Sequence, residues 1–311
     1  MIVNLRLILV MFLWAICFPL IAIGIEYSPH LTFAAIRALL SGVVLLIVAL
    51  VLGEHLPRSF REWLALSAIG LGATTMAFYG MFHAAEFVAP GIATVVASTQ
   101  PLMAAILAHW IIGERLNFMG KVGLALGFFG IVLISFPQLS ADGGAAFQTG
   151  IAYIVVAAIG ITVSNVFIKW IVNRVDPLMA MGLQLIIGSI PLGIIAVATE
   201  DTATVRWTAE FIGSLIGLSL AGTALVYWIW CKVLQSVELS HANAFTFLVP
   251  LFGLIMGVSF YGEELSTVSM MGIALTLLGI YQVARGIDLS ASRDVVVVVD
   301  HNSRDDDGAE G

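Results

Sequence analysis

One segment of this 311-residue chain is written twice, and the two copies cannot run the same way through a membrane. In Val88–Ser135, Pro101 is followed thirteen residues later by Glu114 within Gly113-Glu114-Arg115-Leu116. In Val237–Ala284, Pro250 is followed at the same distance by Glu263 within Gly262-Glu263-Glu264-Leu265. The same register aligns Gly123 with Gly272, Gly130 with Gly279 and, further upstream, Thr74 with Thr223. Each half of the chain, extended upstream from these segments, holds five apolar runs of helix length. An odd number of crossings inverts the second copy relative to the first, and many secondary transporters use inverted repeats to build two alternative openings around one midplane site.

Composition agrees with a membrane solvent. The chain is 60% hydrophobic and 11% charged, whereas a soluble domain carries roughly 25% charged residues. A helical span takes about 20 apolar residues, so ten spans take roughly 200 and leave room only for loops and a tail. The expected spans are 5–25, 31–52, 63–85, 89–112, 119–136, 149–172, 177–198, 211–235, 239–260 and 268–286. Strands are disfavoured because the runs lack strict alternation and an open sheet edge in lipid leaves backbone groups unsatisfied. The expected fold is an all-α polytopic membrane protein, ten transmembrane helices in two inverted five-helix repeats. Its parts are a first repeat over 1–136, an extracytoplasmic linker over 137–148, a second repeat over 149–287 and a disordered cytoplasmic tail over 288–311.

The net charge of −7 comes in large part from that tail, with its Asp305-Asp306-Asp307, and gives no support for nucleic-acid binding. Cys17 and Cys231 fall inside spans and suggest neither a disulfide framework nor a zinc site. The N-terminal run reads as a retained first helix, not a cleaved signal.

Basic residues in short loops set orientation. With ten alternating spans, Arg6, Arg58, Arg61, Arg115, Lys121, Arg174, Lys232, Arg285 and Arg293 share one side, while the other has Arg206 beside Glu200, Asp201 and Glu210. Both termini are therefore expected in the cytoplasm. The loop after Glu114 keeps Arg115 and Lys121, whereas the loop after Glu263 has Glu264 and no basic residue, as opposite orientations require.

Several local patterns recur in order. They are Leu13-Trp14-Ala15, Ser28-Pro29 with Phe33-Ala34-Ala35-Ile36-Arg37, and Ala85-Glu86-Phe87-Val88-Ala89-Pro90-Gly91. Ser164-Asn165-Val166 with Lys169, Ala242-Asn243-Ala244 and the two proline–glutamate segments follow. In order and duplication they resemble the EamA family of ten-helix transporters in the drug/metabolite transporter superfamily, over roughly residues 5 to 286. The resemblance implies export or exchange of small metabolites across a plasma or bacterial inner membrane, with no cofactor. It also allows a homodimer through the glycine-rich fifth and tenth helices.

Ionisable and amide groups inside a span are costly and so are functional candidates. Gln100 beside Pro101, Asn165, Gln184 and Asn243 are expected to supply cavity hydrogen bonds, with Trp14, Tyr79, Tyr227 and Trp228 as the apolar wall. Trp228 is the repeat partner of Tyr79. His83 and Glu86 share a helix face and are the candidates for handling a proton. Pro101 and Pro250 remove a backbone hydrogen bond near the middle of the fourth and ninth helices and mark gating breaks. Arg37, two turns into the second helix, is a functional candidate whose structural readings are snorkelling to the outer headgroups or capping a neighbouring helix, while Lys169 and Lys232 read as side chains that snorkel toward headgroups. Glu114 and Glu263 read as structural groups at span ends.

No phosphate-cradling glycine–lysine loop exists to couple ATP, and no histidine–carboxylate cluster has metal-ligand spacing. No carboxylate sits at the centre of a span. The expectation is a small-molecule transporter in a lipid bilayer, not an enzyme, with amino acids or their relatives as first substrates. An intramembrane enzyme built on His83 and Glu86 lacks a nucleophile. The stronger alternative is a non-transporting sensor that signals through the tail.

Overall fold

The computed structural model describes residues 2–84, 87, 96–114, 116–139, 145–261 and 266–285. They form ten helical rods: α1 (Ile2–Ile25), α2 (His30–Val51), α3 (Phe60–Ala84), α4 (Gln100–Leu107 continuing as Ala108–Ile112), α5 (Phe118–Leu139), α6 (Ala145–Ile171), α7 (Pro177–Thr199), α8 (Ala209–Leu234), α9 (Leu239–Ala244, Phe245–Phe247 and Leu248–Tyr261) and α10 (Thr267–Arg285). Among the described residues there is no strand. Seven rods are long and apolar enough on their own to cross a membrane. Helices α5 and α6 run into the stretch expected as the linker 137–148, ending at Leu139 and starting at Ala145. Glu86, Glu263 and the tail 288–311 lie outside the described residues.

Local signals set the helix ends. Asp176 accepts from the N–H groups of Leu178 (2.8 Å) and Met179 (3.3 Å), with Pro177 at the first helical position of α7, where its missing N–H costs nothing. Ser59 and Glu62 form a reciprocal capping box on α3, satisfying two orphan donors. Helix α2 ends at Gly53, whose φ of +80° suits a residue without a Cβ. There the Glu54 N–H reaches back to the Ala49 carbonyl at 3.0 Å.

The inversion is visible in which rods touch. Helix α1 packs on α8 and α9, and its repeat mate α6 packs on α3 and α4. Helix α7 also packs on α3 and its mate α2 on α8, while α2 with α7 and α5 with α10 join repeat mates directly. Every major contact thus either has a counterpart in the other half or is its own counterpart, which is what a pseudo-twofold axis lying between the halves produces. The α5–α10 pair meets glycine on glycine. A Cβ on Gly123 would lie 2.6 Å from the Gly279 carbonyl oxygen, and one on Gly130 would lie 2.7 Å from that of Gly272. Small residues let membrane helices approach this closely, so these glycine faces are occupied within the chain.

Four departures from straight helix bear on the site. Helices α3 and α8 each contain a π-helical turn, Gly70–Met76 and Leu220–Leu225, at matching places in the two repeats. Helix α4 is preceded by a turn at Ser98–Thr99, and α9 is broken by the 3-10 turn Phe245–Phe247. Threonine hydroxyls tie both breaks: Thr99 to the Val96 carbonyl (2.6 Å) and Thr246 to that of Asn243 (2.7 Å). Pro101 and Pro250 therefore sit in the first turn of a restarting helix, not inside a continuous one. Proline belongs at such a start because the first turn has no N–H bond to lose.

The start of α9 lies against the start of α1. His241, at the start of α9, lies 3.3 Å from the Asn4 side chain of α1. This face is called the terminal end below.

Candidate functional site

The π turns of α3 and α8 face each other at mid-depth. Such turns take in an extra residue and recur at functional sites. Each carries the threonine that the sequence register pairs, and each threonine holds a side chain from the second helix of the opposite repeat. The Thr74 hydroxyl donates to Gln184 Oε1 of α7 at 3.0 Å, and Arg37 Nε of α2 donates to the Thr223 hydroxyl at 2.9 Å. The Tyr227 hydroxyl donates to the Ala73 carbonyl at 3.2 Å, pinning α8 to the π turn of α3. Trp14 of α1 closes this side, its ring centroid 6.4 Å from that of Tyr227 and 5.5 Å from that of Trp230.

Matched backbone positions thus hold unequal chemistry. Gln184 is fully buried, and its Nε2 has no hydrogen-bond partner among the described residues. Arg37 is only 5% exposed, too little for a side chain that snorkels to headgroups. Its guanidinium carbon stands 4.7 Å over the Phe78 ring. Among the described residues it makes no ion pair, and Thr223 is its one side-chain acceptor. A cation–π contact contributes about 0.5–2 kcal/mol, against about 2.5–3.5 kcal/mol for inserting an arginine at the centre of a span. The Thr223 bond adds about 1.5–3 kcal/mol, but no counter-charge among the described residues meets the guanidinium.

A second polar cluster lies nearer the terminal end. Asn243 Oδ1 accepts from Gln100 Nε2 (2.9 Å) and Asn165 Nδ2 (3.2 Å), while its own Nδ2 donates to the Leu239 carbonyl (2.9 Å). The Trp230 indole N–H donates to Asn165 Oδ1 at 3.1 Å. All four residues are buried, and they knit α4, α6, α8 and α9 by satisfying one another. Beneath them Lys169 donates to the carbonyls of Leu234 (2.8 Å) and Val237, and Gln235 donates to that of Val172 (2.6 Å). Lys169 caps the end of α8 instead of snorkelling, because unpaired carbonyls there attract a cation.

Two carboxylates seal helix starts across the repeat boundary. Glu114, after α4, accepts from the N–H groups of Leu239 (2.8 Å) and Ser240 (3.1 Å) and from the Ser240 hydroxyl (3.2 Å) at the start of α9. Glu200, after α7, does the same at the opposite end for Leu31 (2.8 Å), Thr32 (2.7 Å) and the Thr32 hydroxyl (2.7 Å) at the start of α2. The structural role expected of Glu114 is therefore a cap on a helix of the other half. Close to Glu114 on the loop before α9, burial first and then the Glu114 charge push the Glu238 carboxyl above its usual range, against the pull of Lys169.

The aromatic candidates divide. Tyr79, His83, Tyr153 and Phe87 form one group, with His83 centred 4.3 Å from Tyr79 and 5.3 Å from Tyr153 and its Nδ1 lying 3.1 Å from the Tyr79 carbonyl oxygen. Trp228 is half-buried and belongs to no ring cluster among the described residues. The structure therefore brings together Trp14 and Tyr227, Gln100 with Asn165 and Asn243, and Tyr79 with His83. Sequence reasoning passed over Trp230 and left Arg37 open between function, snorkelling and capping. Trp230 lies three residues after Tyr227, on the same helix face. Arg37 lies seven residues past His30, about 10 Å down the helix, with no carboxylate in any span to meet it.

Inverted halves, matched helix breaks and a mid-depth polar layer define an integral membrane protein of the inverted-repeat kind common among secondary transporters. The chain belongs to the EamA-like transporter family, which matches it over residues 1–136 and again over 148–285. It is 31% identical over 269 residues to the uncharacterized transporter YvbV of Bacillus subtilis, covering 86% of this chain and 87% of that one. It is 27% identical to a chloroplastic WAT1-related protein of Arabidopsis thaliana, covering 80% of this chain but 61% of that longer one. An Escherichia coli protein named "Probable amino-acid metabolite efflux pump" is 26% identical, over 88% of this chain and 92% of its own. A solved crystal structure at 17% identity superposes with a TM-score of 0.77, covering 90% of this chain and 95% of that one, and supports the fold.

Proposed function

We propose that this protein is a secondary transporter that exports or exchanges small polar or amphipathic organic metabolites, amino acids and their relatives first among them, by alternating access of its two halves. The observation that carries this reading is the pair of matched helix breaks, at Ser98–Thr99 ahead of Pro101 and at Phe245–Phe247 ahead of Pro250, which meet through the buried Gln100–Asn243 bond. Discontinuous helices at corresponding places in two repeats are where such proteins bind and gate. Trp14, Tyr79, Tyr227 and Trp228 serve as the wall and Gln184 as a cavity hydrogen-bonding group. The Gln100–Asn165–Asn243 cluster serves as the floor that closes the cytoplasmic side. His83, with Glu86 three residues on, is the candidate for moving a proton. Both termini face the cytoplasm of a plasma or bacterial inner membrane, in keeping with the basic loops.

The test is counterflow in proteoliposomes: vesicles preloaded with one unlabelled amino acid should take up the same labelled compound faster than protein-free vesicles. Flux indistinguishable from protein-free vesicles across an amino-acid and organic-acid panel defeats the reading.

A further inference from the structure

We infer that Arg37 is the anchor for a carboxylate on the transported molecule, an assignment that rests on the transport reading and narrows it to organic acids and carboxylate-bearing zwitterions. A guanidinium stays charged at any accessible pH and offers five N–H donors in a fixed fork that matches a carboxylate with two parallel bonds. Arg37 uses one of those donors, on Thr223, and has no carboxylate among the described residues.

The structural roles open to a buried arginine do not fit. Its 5% exposure leaves no route to a headgroup. It caps no helix, because Nε goes to a hydroxyl inside the π turn of α8 and not to a terminal carbonyl. Packing does not demand the charge either, since the other half fills the matching role, a partner for the paired threonine, with the neutral Gln184.

Two further observations point to an anion. Gln184 Nε2 is a buried donor without a partner among the described residues. It is tied to this place because Thr74, which holds Gln184, and Phe78, which lies under Arg37, are four residues apart on one face of α3. Phe78 and Tyr227 stand by the guanidinium, with Trp14 beyond Tyr227, and these rings suit an apolar body attached to the acid group. No buried carboxylate among the described residues is available to balance an ammonium, so an amine lacking an acid group gains nothing here.

Four probes share one aromatic body: phenylalanine, a zwitterion; phenylacetate, an anion; and phenylalanine amide and phenethylamine, both cations without an acid group. Thermal unfolding of the detergent-purified full chain, and counterflow of the same labelled compounds, should show phenylalanine and phenylacetate acting on the wild type and the amide and amine not. Arg37→Gln, which copies the residue of the other half, should weaken the response to both acids at least tenfold. Arg37→Lys should restore part of it, as a point charge without the fork does.

Arg37→Gln should also unfold, without ligand, at a temperature no lower than the wild type, because it removes a buried charge that has no counter-charge among the described residues. A lower ligand-free melting temperature makes Arg37 a structural residue and overturns the inference. So does flux of the amide or amine that ignores Arg37→Gln, which nonetheless leaves the transport reading standing. Absence of flux for every probe overturns the transport reading itself, and this inference with it.

Discussion

Two polar clusters sit in the interior of this protein at different depths, and they settle their valences differently. In the amide cluster, Gln100, Asn165, Asn243 and Trp230 give and take among themselves. In the mid-depth layer, Arg37 and Gln184 each have one bond to a threonine and donors to spare. Both are buried, so burial alone does not separate a ligand site from a helix clasp. What separates them is whether the groups are already satisfied by protein. A satisfied network rigidifies the fold, whereas an unsatisfied donor in low dielectric is costly until something arrives to accept from it.

The comparison predicts opposite phenotypes. The largest stability effect belongs to Asn243→Leu, which takes the acceptor from both Gln100 and Asn165 and should cost about 1–3 kcal/mol. Its melting temperature in detergent should fall by several degrees while the acid-dependent shift persists; a variant that loses the acid response at unchanged stability would merge the two clusters into one site. A smaller loss, about 0.6 kcal/mol, is expected for Trp230→Phe, which keeps the ring against Trp14 and removes only the donor to Asn165. That difference should appear in thermal unfolding and vanish in the Asn165→Ala background, since the acceptor is then gone.

The smallest effect concerns pH. Because the folded state raises the Glu238 pKa above its ordinary 4.5, folding takes up a proton there. Stability from this group is complete below about that value and is lost as pH rises through the raised one. Glu238→Gln should therefore match the wild type in acid and melt slightly higher at neutral pH. The reverse order would mean that attraction to Lys169 outweighs burial and the neighbouring Glu114.

Much of this architecture is legible in the residues. The duplicated proline–glutamate spacing and the glycine register point to ten helices in two opposed halves, and the same register pairs Thr74 with Thr223. Chemistry that depends on partners across the fold is not legible in the same way. The π turns escape detection because their bonding requires no particular residue type. Trp228 illustrates a second limit. Repeat symmetry relates it to Tyr79, but the position matching Tyr153, which packs on Tyr79, is Asn4 in the other half. The backbone repeats while the neighbours do not, so a wall residue in one half need not be one in the other. Arg37 was visible as a charge in a span, but only its lack of a counter-charge in three dimensions distinguishes an anchor from a snorkelling residue.

The π turns carry one more consequence, for phase. A helix with an additional residue in one turn has everything after that point rotated by about 100° relative to a regular helix. Tyr79 and His83 follow the turn in α3, and Tyr227 and Trp230 follow the turn in α8. Their bearings toward the interior are therefore clocked by an irregularity some residues upstream. Deleting a single residue from Leu220–Leu225 would leave a continuous, equally apolar helix, yet it would swing Tyr227 away from Ala73 and Trp230 away from Asn165 together.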